Sequence, residues 1–174
     1  MGSQGMTPAQ IGLVQESFAK LRPNQDATAQ LFYLRLLELD PGLQNLFCGD
    51  LKAQRGTLMA ALGVAVDGLN DLEALRPVFR DLGLRHVGYG VKNAHYERFG
   101  EALLWTLEIA LGDDFDTAVR QAWTAFYELL SSAMTEACVH PAVQARSTRA
   151  HGRVHAPETT QEMAFPTATA LLVE

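Results

Sequence analysis

Between Thr7 and Cys138 the apolar residues return every three or four positions, and no run alternates apolar and polar long enough to make a convincing strand. That pattern constrains the fold more than any other feature. Each amphipathic helix must hide one face, so the helices must pack on one another. "TPAQ" at residues 7–10 has the form of a capping box with proline at the first helical position, and Ile11, Val14, Phe18 and Leu21 follow at helical spacing. Pro23-Asn24 breaks that helix. Ala27–Leu39 is the next, ended by Asp40-Pro41, because the residue before proline avoids the α region. After the short turn "PGLQNLFCGD", a helix from about Leu51 to Leu69 carries Leu51, Leu58, Leu62, Ala65 and Leu69 on one face. Asn70 or Asp71 can cap a fourth helix. Its apolar face holds Leu75, Val78, Phe79 and Leu82, His86 falls on the same stripe, and Gly88 and Gly90 stop it. Asn93 can cap a helix to Leu111, and Asp116 a last one to about Cys138. Six helices and no strand predict one all-α domain over residues 7–138, after a flexible start at 1–6. Residues 139–174 are rich in Ala, Thr, Pro, Val and His without a sustained period, and read as a tail, flexible or loosely docked.

The chain has 174 residues, 48% hydrophobic and 20% charged, enough for one real core. A net charge of −6 and the lack of a basic stripe exclude nucleic acid as a partner. The first residues lack the basic region and apolar run of a secretory signal, and no apolar stretch approaches membrane-spanning length. Two cysteines, Cys48 and Cys138, are too few for a disulfide scaffold. A reducing cytoplasm is the expected compartment.

The polar residues on apolar stripes admit more than one reading. His86 can be a structural histidine, a last-turn partner of the helix dipole, or a metal ligand. Gln54 shares a stripe with Leu51, Leu58 and Leu62, where a lone glutamine is usually a solvated edge residue. Tyr33, within "LFYLRLLEL", reads as a buried tyrosine with a backbone partner, and Phe47 as a core aromatic. His95 reads as structural or exposed, and His140, His151 and His155 as surface residues of the tail, one of them entering a pocket being the alternative. Cys48 reads as an ordinary thiol, with a redox role as the alternative.

Three stretches in order change the balance: "LFYLRLLELDPGLQNLF", "LGLRHVGYGVKNAHYERFGEALLWTL" and "AWTAFYELL". Over roughly residues 7–138 the chain resembles a globin, specifically the bacterial single-domain globins and the globin module of flavohaemoglobins. Gln54 and His86 lie 32 residues apart, a separation at home in that branch. The resemblance implies a three-over-three helical sandwich with a C-terminal extension, binding haem b. No C-x-x-C-H motif is present for covalent attachment, so the haem would be held non-covalently. It implies His86 as the axial iron ligand, Phe47 stacked on the porphyrin, Leu58 lining the distal pocket, and Val91 touching haem from the corner after the histidine helix. Arg55, Arg85 and Lys92 are nearby candidates for the propionates.

Tyr33 and Gln54 match the distal pair, the residues that would carry any catalysis. Both are donors. Bound oxygen carries partial negative charge, and a hydrogen bond to a charged group is worth about 1.5–3 kcal/mol, where each 1.4 kcal/mol is about tenfold in affinity. Two such bonds imply tight binding and slow release. Gln54 cannot titrate near neutrality and is a poor sixth ligand. Tyr96 matches the tyrosine that flavohaemoglobin-like proteins tie to the ligand histidine. Their glutamate partner falls on Cys138, with Glu136 two residues short and about 200° away around the helix, so that triad is incomplete.

The implied function is reversible high-affinity oxygen binding, with nitric oxide detoxification by dioxygenation as an extension. Dioxygenation consumes electrons, and no flavin or nicotinamide domain is visible, so an external reductase is expected. The partners are oxygen and other diatomic gases, and the chain is a monomer or homodimer. One alternative is a haem-based gas or redox sensor acting through its tail or a partner. Another is a haem-free globin-like interaction module, against which His86 stands.

Overall fold

The computed structural model describes residues 5–47 and 50–139. Six α-helices run in order: α1 (Pro8–Leu21), α2 (Gln25–Leu39), α3 (Leu51–Asp67), α4 (Leu72–Gly88), α5 (Asn93–Leu111) and α6 (Thr117–Val139). The caps explain most of the boundaries. Thr7 Oγ1 accepts the Gln10 N–H at 3.3 Å, and Gln10 Oε1 accepts the Thr7 N–H at 2.9 Å, a reciprocal capping box. Asp71 accepts the Ala74 N–H at 3.1 Å and starts α4, while Asp116 accepts the Val119 N–H at 2.8 Å and starts α6.

Local details depart from the sequence reading. Pro23-Asn24 separates α1 from α2 as expected, with Arg22–Asn24 forming a 3₁₀ turn, but α2 begins at Gln25 rather than Ala27. Proline is tolerated there because no first-turn N–H is needed for a helical bond. Leu69 falls in another 3₁₀ turn, Gly68–Asn70, after α3 has ended at Asp67. Asn93 does not cap α5 but is its first residue. Lys92 takes the cap position in extended backbone, and its N–H donates to His95 Nδ1 at 3.1 Å. Gly88 is helical, and of these two glycines it is Gly90 that takes a positive φ, at 82°. The sharp turn out of α4 therefore rests on Gly90.

The helices stack as two layers, α1, α3 and α4 across α2, α5 and α6, an all-α architecture as expected. Trp123 of α6 is fully buried and donates its indole N–H to Ser17 Oγ of α1 at 2.9 Å. Phe32 of α2 packs on Phe99 of α5 with ring centres 4.6 Å apart. The closest approach is between α4 and α6, where a methyl group on Gly83 would collide with the Met134 carbonyl. Leu75 and Phe79 are buried with Gly83. Val78, expected on that face, is instead 44% exposed, because it stands about 100° around the helix from Phe79. No helix among the described residues is long and apolar enough to cross a membrane.

Gly83→Ala should cost about 1–3 kcal/mol, the usual range for overpacking a tight contact. Gly56, exposed on α3 with open space around it, is the internal comparison: Gly56→Ala should leave stability unchanged or raise it by about 0.5–1 kcal/mol. Urea unfolding of both variants measures the difference. Equal midpoints would show that α4 and α6 are not in backbone contact at Gly83.

Candidate functional site

His86 lies in the last turn of α4, half-buried. Its Nδ1–H donates to the Leu82 carbonyl, one turn back, at 2.8 Å. A carbonyl can only accept, so this bond sets the tautomer and leaves the lone pair on Nε2. Burial lowers the imidazole below its usual pKa, with the Leu82 bond acting in the other direction, so the ring is held neutral. Both effects suit a metal ligand, which must be the neutral base. The Tyr96 ring, from the first turn of α5, lies 6.4 Å from the imidazole and only 27° from parallel to it. Val91, half-buried in the corner between α4 and α5, donates its N–H to the His86 carbonyl at 3.0 Å.

Across the fold, α2 and α3 bring together a second group. The Tyr33 hydroxyl donates to the backbone carbonyl of Gln54, at a long 3.4 Å. Gln54 is not a solvated edge residue: it is only 8% exposed, and its Oε1 has no hydrogen-bond partner among the described residues. A buried amide oxygen left without a partner is costly. Phe47, at the end of the 3₁₀ turn Pro41–Leu46, stands edge-on to Tyr33 with ring centres 5.2 Å apart. Leu58 packs half-buried against the core one turn beyond Gln54. A small apolar cavity of about 10 Å³ lies on the interior side of Leu58, lined also by Phe32, Met59, Leu62, Leu103 and Trp123. Burial pushes the Tyr33 phenol up to about 12, so it stays an O–H donor throughout the neutral range.

The two groups meet at the turn out of α4. A side chain on Gly90 would be in contact with Leu46, the residue before Phe47. Phe47, Tyr33, Gln54, Leu58, His86, Val91 and Tyr96 thus come from two neighbouring clusters on six segments. Of the three nearby cations, Arg55 is ion-paired with Asp26 at 3.2 Å, and Arg85 and Lys92 are exposed. Glu136 is exposed, facing away as its helical position implied. Cys48, the Cys138 side chain, and the tail with His140, His151 and His155 lie outside the described residues.

Tyr127 is the residue that sequence reasoning passed over. Its hydroxyl donates to the Tyr96 carbonyl at 2.6 Å, and its ring stacks on Phe99 at 5.7 Å, 9° from parallel. It stood in view within "AWTAFYELL", but nothing in helical spacing distinguishes it from an ordinary core aromatic.

Residues 30–134 match the family model described as Globin. Neuroglobin of Danio rerio is 33% identical over 138 residues, spanning 71% of this chain and 87% of that protein. Neuroglobin of Tetraodon nigroviridis is 31% identical over 137 residues, 71% and 86% of the two chains. Leghemoglobin-1 of Lupinus luteus is 30% identical over 143 residues, 72% and 91%.

The Tyr33 shift has a consequence at high pH. An unfolded phenol titrates near 10, the folded one near 12, so folding favours the neutral form. The stabilisation is complete below about pH 10 and is lost as pH rises toward 12. Urea midpoints measured across that range should therefore fall more steeply for the wild type than for Tyr33→Phe. Parallel curves would mean that the phenol is not buried.

Proposed function

The chain belongs to the globin family, and from that premise we propose that residues 7–138 hold haem b without covalent attachment, through His86, and bind oxygen tightly and reversibly. The observation that carries the reading is the His86 tether: a neutral imidazole, fixed at Nδ1 by the Leu82 carbonyl, presenting the base at Nε2. Held at His86, the metal would take its other ligands from a macrocycle. Haem supplies that macrocycle and the iron at which a diatomic gas is held.

The chain's own residues then divide the work. Phe47, Leu58, Val91 and Tyr96 wall the site with apolar and aromatic surface that excludes water and leaves its hydrogen bonds unscreened. Tyr33 supplies an O–H held by packing between Phe32 and Phe47. Its bond to the Gln54 carbonyl is long, so little is lost when the O–H swings to a better acceptor. Gln54 contributes an uncharged amide at the same place, and it is the N–H₂ end of that amide that donates to a bound gas.

This pair is the flavohaemoglobin-like feature of the chain. It suits a reaction in which oxygen must stay in place until nitric oxide reaches it, giving nitrate with electrons from an external reductase in the cytoplasm. Nitrate yield from nitric oxide, oxygen and a supplied reductase tests that extension. A chain that binds oxygen tightly yet yields no nitrate above the haem-free background would restrict the function to oxygen binding.

His86→Ala should abolish or gravely weaken haem retention, read as loss of the Soret band after desalting. Stoichiometric haem with unchanged axial ligation would overturn the assignment. Tyr33→Phe keeps the ring and removes only the O–H. Losing a bond worth about 1.5–3 kcal/mol should speed oxygen release by roughly ten- to a hundredfold. Carbon monoxide is less polar when bound and should change far less. Stopped-flow displacement of both gases gives the ratio, in which changes in pocket access cancel. An oxygen rate that moves no more than the carbon monoxide rate would place the Tyr33 hydroxyl away from the ligand.

A further inference from the structure

The stripe of α3 that packs into the core begins with a charge. Met59, Leu62 and Val66 are buried at helical spacing, and Arg55, one turn before Met59, takes the first position of the same stripe. A cation there is costly unless a counter-charge meets it. Asp26, in the first turn of α2, supplies one, with its Oδ1 3.2 Å from Arg55 Nε. The partners are placed unequally. The Arg55 side chain is 19% exposed and that of Asp26 65%, so the arginine reaches out from the interior to a carboxylate at the rim.

Asp26 and Tyr33 are seven residues apart, which is two turns of α2 and within about 20° of the same azimuth. Gln54 and Arg55 are neighbours near the start of α3. One stripe of α2 therefore meets the start of α3 at two polar contacts, Tyr33 with the Gln54 carbonyl and Asp26 with Arg55. The first is weak. At 3.4 Å it does little to fix how closely the helices approach, and it is given up when the Tyr33 O–H turns to a ligand. The second joins full charges and uses no group that faces the gas, so it persists.

We infer that Asp26 and Arg55 act as a clamp that positions Gln54: they hold the first turns of α3 on α2, and so keep the Gln54 amide in place once Tyr33 has let go of its carbonyl. The inference rests on the reading of Tyr33 and Gln54 as the pair that meets a bound gas. Asp26 and Arg55 are positioning residues, acting through Gln54. Because the carboxylate is exposed, ions in solution screen it. The clamp thus makes oxygen release depend on salt, which an uncharged pocket by itself would not do.

The test compares Asp26→Asn with Asp67→Asn in the full chain, the second removing the Arg22–Asp67 ion pair at the far end of α3. In the haem-free protein, Asp26→Asn should speed amide hydrogen exchange over residues 51–58 and leave residues 59–67 unchanged. In the haem-loaded protein it should speed oxygen release at low salt by about two- to fivefold, the range open to an ion pair of this exposure, with carbon monoxide release nearly unchanged. Added salt should bring the wild-type oxygen rate toward that of the variant and leave the variant where it is. Arg55→Lys, which keeps the charge, should stay nearer the wild type than Arg55→Met. Asp67→Asn should do none of this. Exchange raised equally along α3, a wild-type oxygen rate indifferent to salt, or an Arg55→Met chain that loses haem without a change in gas release overturns the inference alone. Tyr33→Phe is measured beside these variants. If it too leaves the ratio of oxygen to carbon monoxide release unmoved, the reading of Tyr33 and Gln54 falls, and the inference with it.

Discussion

The site depends first on how closely α4 lies on α6. Gly83 presents no Cβ to the Met134 backbone, where one would collide, and it stands three residues before His86 on the same helix. The depth at which the imidazole sits is therefore fixed by a backbone contact, which is stiffer than any contact between flexible side chains. α6 is in turn pinned to α1 through Trp123 and Ser17, a fully buried indole with its one donor satisfied. A shift of α4 would require either side of this arrangement to repack, so the histidine inherits the rigidity of the core.

The second constraint is electrostatic. Every polar group brought to the site is held uncharged. Burial lowers the His86 pKa, burial raises that of Tyr33, and Gln54 has nothing to titrate. Arg55, the half-buried cation next in sequence to Gln54, is engaged with Asp26. The result is a place furnished with dipoles and a single neutral base, surrounded by apolar side chains. Dipoles in such surroundings discriminate between ligands by polarity, whereas a charge would attract anions and water indiscriminately.

The two halves of the site are also mechanically continuous. Phe47 stands against Tyr33, Tyr33 against Phe32, Phe32 against Phe99 and Phe99 against Tyr127, with ring centres between 4.6 and 5.7 Å apart at each step. Tyr127 then reaches Tyr96, whose ring lies beside His86. Edge-on and offset aromatic contacts of this kind favour particular orientations as well as burying area. The residues around Tyr33 and Gln54 and those around His86 therefore pack as one run.

By itself the sequence determined the number and order of the helices, and the caps at Thr7 and Asp116, with Asn70 and Asp71 both left as caps for α4, because these depend on residues within a turn of one another. It also put His86 on the inner stripe of its helix, since periodicity records which residues share an azimuth. It could not say how far that azimuth reaches into the core, which is why Gln54 read as an edge residue and is buried, and Val78 read as buried and is exposed. The start of α5 turned on whether Asn93 or Lys92 left the helical region, a choice made by the Gly90 turn and the His95 ring together. Only the tertiary structure decided that Tyr33 meets the Gln54 backbone, that Gly83 lets α4 touch α6, and that Tyr127 holds Tyr96. Each of these joins residues from different helices. Their sequence spacing carries no information about contact until the helices pack.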